Sequence, residues 1–220
     1  NVLKETQPKK IYVIVSYGKG ELIKAAHDLK IEVIELQHGV FSKYHLGYSF
    51  PKASNLQYIP DKFYVWNNYW KNLINFPIKL ENVIIAPFQH IEIEKKKYKY
   101  IKKEKNSLII ISQGGITEKI AKKIIDNIKD FQKFNITFKL HPNEYHMISK
   151  YKNLNHLKEK YNINVATHLD LYTHLARSEY QAGVFSTALY EGIEFNCKTI
   201  LLNLPGIEYM DKFIKKYNPI

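Results

Sequence analysis

Three short runs in the second half of the chain carry side chains whose types and spacing suit the binding of an anion. Gln113-Gly114-Gly115 is a turn with little side-chain bulk, placed just ahead of a helical pattern. Free backbone N–H groups and the helix dipole at such a place favour a phosphate, although an ordinary tight turn reads the same way. Lys139-Leu140-His141-Pro142 closes an apolar run, so an imidazole stands at a strand end with a stiff proline behind it. Ser186-Thr187 opens a further helical pattern, where hydroxyls suit a helix cap and equally a phosphate. Glu191 follows one turn on, where a carboxylate can accept from both hydroxyls of a ribose. In the first half, Gln37-His38-Gly39 comes directly after the run Ile31–Leu36. Each signal alone is ordinarily structural. Their convergence on strand ends points to a site.

The elements that must position these groups are legible from periodicity. Apolar, β-branched runs predict strands at Ile11–Ser16, Ile31–Leu36, Lys62–Trp66 and Asn82–Ala86, with helices at Glu21–Lys30 and Asn68–Leu73. Val40–Pro60 is polar, aromatic and turn-rich, and reads as a long functional loop. In the second half, strands are predicted at Ser107–Ser112, Ile136–Leu140, Asn164–Ala166, Tyr180–Val184 and Thr199–Leu202. Helices are predicted at Thr117–Asp130, with Thr117 as N-cap, and at Tyr145–Lys152, Asp170–Ala176 and Ala188–Phe195. Repeated βα units imply parallel sheets covered by helices on both faces. In such sheets ligands sit at the carboxyl ends of the strands.

Composition narrows the class. With 45% hydrophobic and 25% charged residues the 220-residue chain is globular. No apolar run approaches the ~18 residues of a membrane span. A single cysteine, Cys197, excludes a disulfide framework and a cysteine-based zinc site. Neither a metal nor a cofactor is expected. The formal net charge of +12 invites a nucleic-acid reading, but Arg177 is the only arginine, and arginine is the residue that reads bases and clamps phosphates in pairs. An AT-rich genome accounts for the wealth of Lys, Ile, Asn and Tyr, so no nucleic-acid partner is expected. Much of the excess lies in Lys95–Lys105, which reads as a solvated linker between a domain at 1–94 and another at 106–220. Peripheral contact with an anionic membrane surface is its alternative use. The chain opens on Asn1 and shows no signal-peptide pattern, which leads to the expectation of a fragment in a cytoplasmic setting.

Gln-His-Gly after an early strand, Lys-Leu-His-Pro, and Ser-Thr-Ala-x-x-Glu-Gly together resemble the two-Rossmann-domain (GT-B type) glycosyltransferases of bacterial surface polysaccharides. Capsule and lipooligosaccharide transferases are the nearest, including sialyl- and Kdo-transferases that use CMP-sugars. CDP-glycerol polymerases of teichoic acid synthesis show a similar arrangement. The resemblance spans about residues 11 to 210. It implies an α/β protein of two Rossmann-like domains, the first incomplete, that moves a sugar from a nucleotide donor onto a carbohydrate or glycolipid acceptor without a metal. A CMP- or CDP-linked donor is favoured over a UDP-linked one. By that likeness His141 contacts the leaving phosphate, and Ser186 and Thr187 hold it. Glu191 holds the ribose, while Gln113, Gly114, Gly115, Lys139 and Pro142 complete the donor site. Gln37, His38 and Gly39 face the donor across an interdomain cleft, with His38 as candidate base.

The acidic motif that supplies the base in such sialyltransferases is replaced here by Gln113-Gly114-Gly115. Two other classes stay open. One is a nucleotide-sugar 2-epimerase, whose Glu-His motif would be replaced by Gln37-His38. The other is a non-catalytic nucleotide-sugar-binding subunit of capsule assembly.

Overall fold

The computed structural model describes residues 2–50, 58–167 and 170–220, and it divides into two units, Asn1–Phe88 and Gln89–Ile220. The first unit contains α1 (Val2–Thr6), β1 (Lys10–Val13), α2 (Gly20–Asp28), β2 (Glu32–Leu36), β3 (Lys62–Val65), α3 (Asn68–Lys71) and β4 (Val83–Ile85). Its strands pair in sequence order, β1-β2-β3-β4, and every pairing is parallel. A strand order without reversal provides no topological switch point. The expected loop over 40–60 is described through Phe50, and 51–57 fall outside the described residues.

The second unit holds α4 (Gln89–Tyr98), β5 (Glu104–Ile111), α5 (Thr117–Asp126), α6 (Ile128–Phe131), β6 (Asn135–Lys139), α7 (Lys152–Tyr161) and β7 (Asn164–Ala166). It continues through α8 (Leu171–Arg177), β8 (Ser178–Gly183), α9 (Thr187–Glu194), β9 (Lys198–Leu201) and α10 (Asp211–Tyr217). The parallel sheet runs β7-β6-β5-β8-β9. The order reverses between β5 and β8, the doubly wound arrangement in which ligands bind outside the carboxyl ends at the reversal. Leu108–Ile111 are buried on both faces of the sheet, as parallel strands require. Ile120, Ala121 and Ile124 of α5 pack with Leu108, Ile110 and Phe138 in one core.

Three expectations are refined or corrected. Lys95–Lys105 is largely exposed, as a solvated stretch would be, but its ends are structured: Lys95–Tyr98 form the last turn of α4, and Glu104 and Lys105 begin β5. Side-chain bonds tie the stretch down. Lys95 bridges Glu92 and Glu194, each at 3.1 Å, and the Tyr98 hydroxyl donates to Asp170 at 2.8 Å. Lys103 donates to the carbonyls of Leu175 and Ser178, both at 2.7 Å. The single helix expected over Thr117–Asp130 is two, because Asn127, whose side chain donates back to the Lys123 carbonyl, separates α5 from α6. The helix expected at Tyr145–Lys152 is a 3-10 stretch over Pro142–Lys150, followed by α7. Among the described residues no helix is long and apolar enough to cross a membrane.

Candidate functional site

The residues singled out in the second half fall where the sheet order reverses or beside it. Gly183 ends β8, and after it Ser186 caps α9, its hydroxyl oxygen accepting from the Ala188 N–H at 3.2 Å. That oxygen's own proton stays available to a ligand, and Thr187 begins the helix. Gly114 and Gly115 follow β5. A Cβ at either would meet nothing within 4 Å, and Gly115 has φ +88°, so the loop needs glycine for its conformation and leaves its backbone open.

Lys139 ends β6 and, with Leu140, His141, Ser112, Ser186 and the acid Asp170, lines a cavity of about 560 Å³. That volume lies within the range of small-ligand sites. Lys139 is only 7% exposed. Its ammonium donates to the Tyr145 hydroxyl at 2.6 Å and to the Leu140 carbonyl at 3.2 Å, and stands 5.0 Å from the Tyr145 ring centre. None of these partners is a carboxylate, and the third donor of the ammonium is unused among the described residues. The charge is felt nearby. Burial holds the His174 imidazole below its ordinary range, and Lys139 and then Arg177 push it the same way.

His141 is exposed and caps the 3-10 stretch, its Nδ1 accepting from the Asn143 N–H at 3.3 Å. In the neutral ring this bond leaves the proton on Nε2, a donor free for a ligand. Pro142 fills the first position of that stretch, where a missing N–H is harmless.

Glu191 is not among the residues lining this cavity. It is half-buried, and the Tyr172 hydroxyl donates to its Oε1 at 3.2 Å. Burial raises its carboxyl above the usual range, and the Tyr172 bond only partly offsets this. Tyr172 is itself pushed well up, by burial and then by Glu191, and packs edge-on to His90 and stacked on Phe195. A ribose would find one carboxylate oxygen of Glu191 already engaged.

Sequence reasoning missed Glu144. This carboxylate, 3% exposed, accepts from Ser112 at 2.9 Å, Thr117 at 2.6 Å and Tyr151 at 2.7 Å. The Ser112 and Thr117 hydroxyl oxygens also approach each other closely, and with one proton apiece both donate to the carboxylate rather than to one another. Thr117 is therefore not the expected N-cap: Ile116 holds that position, and the threonine hydroxyl turns inward. Burial and then Glu144 push Tyr151 up to about 12. The one hint in the sequence was an acidic residue three positions after a cap-forming His141.

In the first unit Gln37 is not a free ligand group. It is 7% exposed, its Nε2 donates to the Gly39 carbonyl at 3.0 Å, and its Oε1 accepts from the Trp66 N–H at 3.0 Å. A buried amide at a strand end must satisfy both of its ends, and this one does so within the fold. Gly39 is buried, whereas His38 is exposed and held below its ordinary range by partial burial and then by Lys19. Tyr48, whose ring centre lies 6.2 Å from that of His38, donates its hydroxyl to Glu35, which is fully buried and also accepts from the Ser16 N–H. His45 packs on Tyr48 at 4.6 Å. Val15 has φ +61°, a strained value for a β-branched residue, and Lys19 donates to its carbonyl at 2.8 Å and to that of Ile14 at 2.6 Å. Such strain concentrates at functional sites. Among the described residues no group of three or more His, Cys, Asp or Glu is placed to hold a metal ion.

Solved structures share this architecture. A UDP-GlcNAc 2-epimerase from Methanocaldococcus jannaschii matches with a TM-score of 0.59 at 14% identity, over 100% of this chain and 67% of that one. The Neisseria meningitidis UDP-GlcNAc 2-epimerase bound to UDP-GlcNAc matches at 0.57 and 15%, over 91% and 61%. The pneumococcal O-GlcNAc transferase GtfA, in complex with UDP and GlcNAc, matches at 0.50 and 15%, over 93% and 44%. The fold is the GT-B one. The chain spans less than two thirds of the second and third of these proteins. No protein-family model and no curated protein matches the sequence.

Proposed function

We propose that this GT-B chain is a nucleotide-sugar enzyme whose second unit holds the nucleotide phosphate at the carboxyl ends of β5, β6 and β8. Lys139 is the observation that carries this reading. A buried ammonium with no carboxylate partner is costly, and an anionic ligand in the cavity beside it offsets that cost. His141 Nε2–H and the Ser186 hydroxyl line the same cavity and donate to the phosphate. Gly114, Gly115 and Thr187 add open backbone donors near it, with Gln113 and Pro142 framing the turns. Glu191 takes a ribose hydroxyl on the oxygen that Tyr172 leaves free.

The base is read as uracil and the chemistry as that of a 2-epimerase acting on a UDP-sugar. The fold likeness to epimerases, several of them solved with UDP or UDP-GlcNAc, supports this over a CMP-sugar transferase. One observation favours glycosyl transfer as the second reading. His38 is an exposed imidazole kept neutral, suited to accept a proton from an acceptor hydroxyl.

Incubation with UDP-GlcNAc in D₂O, followed by proton NMR, separates the two. An epimerase yields the C2 epimer with deuterium at C2. A transferase releases UDP only when a carbohydrate acceptor is supplied. Binding of UDP with neither outcome marks a non-catalytic subunit. In melting curves with UDP, CDP, CMP and GDP, UDP should give the largest rise; saturation at a hundredfold excess over Kd adds about 2.7 kcal/mol. A rise with CMP alone restores the CMP-sugar reading, and no rise with any nucleotide refutes the site.

A further inference from the structure

Both ends of the Gly-Gly loop are gripped by one side chain. Ser112 follows β5 directly before Gln113-Gly114-Gly115, Thr117 begins the helix after it, and the Glu144 carboxylate accepts from both hydroxyls, Ser112 on Oε2 and Thr117 on Oε1. All three residues are almost fully buried, so each bond forms away from competing water. Glu144 belongs to the turn that carries His141: its own N–H donates to the His141 carbonyl at 2.9 Å. A third hydroxyl, from Tyr151 at the start of α7, completes the set on Oε1.

We propose that Glu144 is a positioning residue that locks the Gly-Gly loop and the His-Pro turn into one rigid cradle. Between residues 112 and 117 the only backbone bond is that from the Ile116 N–H to the Gln113 carbonyl, at 3.1 Å. Backbone bonds hold the loop's ends, from the Ser112 N–H to the Lys139 carbonyl at 3.0 Å and from the Ile120 N–H to the Ile116 carbonyl at 2.9 Å, and the side-chain clasp adds the link between the loop and the His-Pro turn itself. A ligand that touches the loop amides and His141 together meets them at a better-defined distance while Glu144 holds both segments. Held donors lose nothing to reorganisation when the ligand arrives, and this is how a supporting shell acts on binding. The proposal rests on the nucleotide reading for its ligand, but not for its mechanics.

The experiment compares wild type, Glu144→Ala and Glu144→Gln. Two quantities are read on each: the ¹⁵N order parameters of Gly114 and Gly115 in ligand-free protein, and the UDP affinity by calorimetry. In Glu144→Ala the order parameters should fall from about 0.85 toward 0.6, and affinity should weaken on the order of tenfold to a hundredfold. Glu144→Gln should restore most of both, because its amide oxygen keeps two acceptor positions and a hydroxyl can accept where it donated. If Glu144→Ala does not fold, the double change Ser112→Ala with Thr117→Val removes the loop side of the clasp and takes its place. Unchanged order parameters in a folded variant overturn the proposal, whatever the affinity does. Failure of wild type to bind UDP removes the nucleotide reading and leaves the order parameters to decide the clasp.

Discussion

At the scale of single residues, Lys139 and His141 lie two positions apart yet answer to different physics. Lys139 is buried with no carboxylate hydrogen-bonded to its ammonium, although Asp170 lines the same cavity. Lys139→Met keeps the aliphatic stem and removes the charge. The melting temperature of the free protein should hold or rise, because a buried ion without its partner is a net cost. The UDP-induced rise should collapse, since a charge-assisted hydrogen bond contributes about 1.5–3 kcal/mol. A variant that melts lower yet binds UDP normally would show the lysine to be structural. His141 is exposed and caps a 3-10 stretch, so His141→Ala loses roughly 1 kcal/mol of cap energy in any case. If Nε2–H also stabilises charge on a departing phosphate, turnover per folded molecule should drop on the order of 10²–10³-fold. Normal turnover with a lowered melting point would leave it a cap and nothing more.

At the scale of elements, α9 meets the sheet at a close joint. Gln181 of β8 is fully buried, and its Nε2 donates to the Leu189 carbonyl of α9 and to the Thr199 hydroxyl of β9, both at 2.8 Å. Gly192 lies over it: a Cβ there would stand 1.9 Å from the Gln181 Oε1. Gly192→Ala should therefore destabilise by about 1–3 kcal/mol, seen as a lowered melting temperature; unchanged melting would mean that Gln181 can move. Lys103→Met should also destabilise, by about 1–3 kcal/mol, because the Leu175 and Ser178 carbonyls lose their shared donor. Unchanged melting there would restore the solvated-linker reading of the lysine run. Lys103 and Glu144 mark the limit of what was legible in the sequence. Strand positions were readable because buried parallel strands are continuous apolar runs, and Asn164–Ala166 was placed to the residue. The turns after β5, β6 and β8 were readable through Gly, Pro and Ser-Thr chemistry. Lys103 was not, because an exposed lysine in a basic run gives no sign of the Leu175 and Ser178 carbonyls that the fold brings to its ammonium. Glu144 was hidden for a related reason: its partners Ser112, Thr117 and Tyr151 come from three segments that only the fold assembles.

At the scale of the whole molecule, both units are parallel sheets with active-looking groups at their strand ends, but their charges differ in kind. The second unit presents a buried cation, Lys139. The first buries an acid, Glu35, under Tyr48, and burial lifts its carboxyl above the usual range despite hydrogen bonds from Ser16 and Tyr48. Its ionised form is thus less favoured in the folded chain than in the unfolded one. The stability that Glu35 lends is present below its unfolded value, about 4.3, and is lost as pH rises through the raised folded value. Glu191 titrates in the same sense. His38, His45 and His174 act on the other side: burial depresses them, so their contribution is lost as pH falls through their lowered values. The raw pH profile mixes all five groups, whereas the difference between wild type and Glu35→Gln isolates one. Glutamine still accepts from Tyr48 and cannot ionise. The two proteins should melt closest together at pH 4, and Glu35→Gln should gain on wild type steadily as pH rises past the Glu35 transition, then hold a constant lead. His45, which packs on Tyr48 and feels the Glu35 charge, would shift slightly lower in the variant, a change that proton NMR of its ring reads directly. Parallel melting profiles from pH 4 to 8 would mean that Glu35 ionises as easily inside the fold as outside it. A variant that instead loses ground as pH rises would mean that the carboxylate is the favoured form, held by Tyr48 and Ser16 more strongly than burial opposes it.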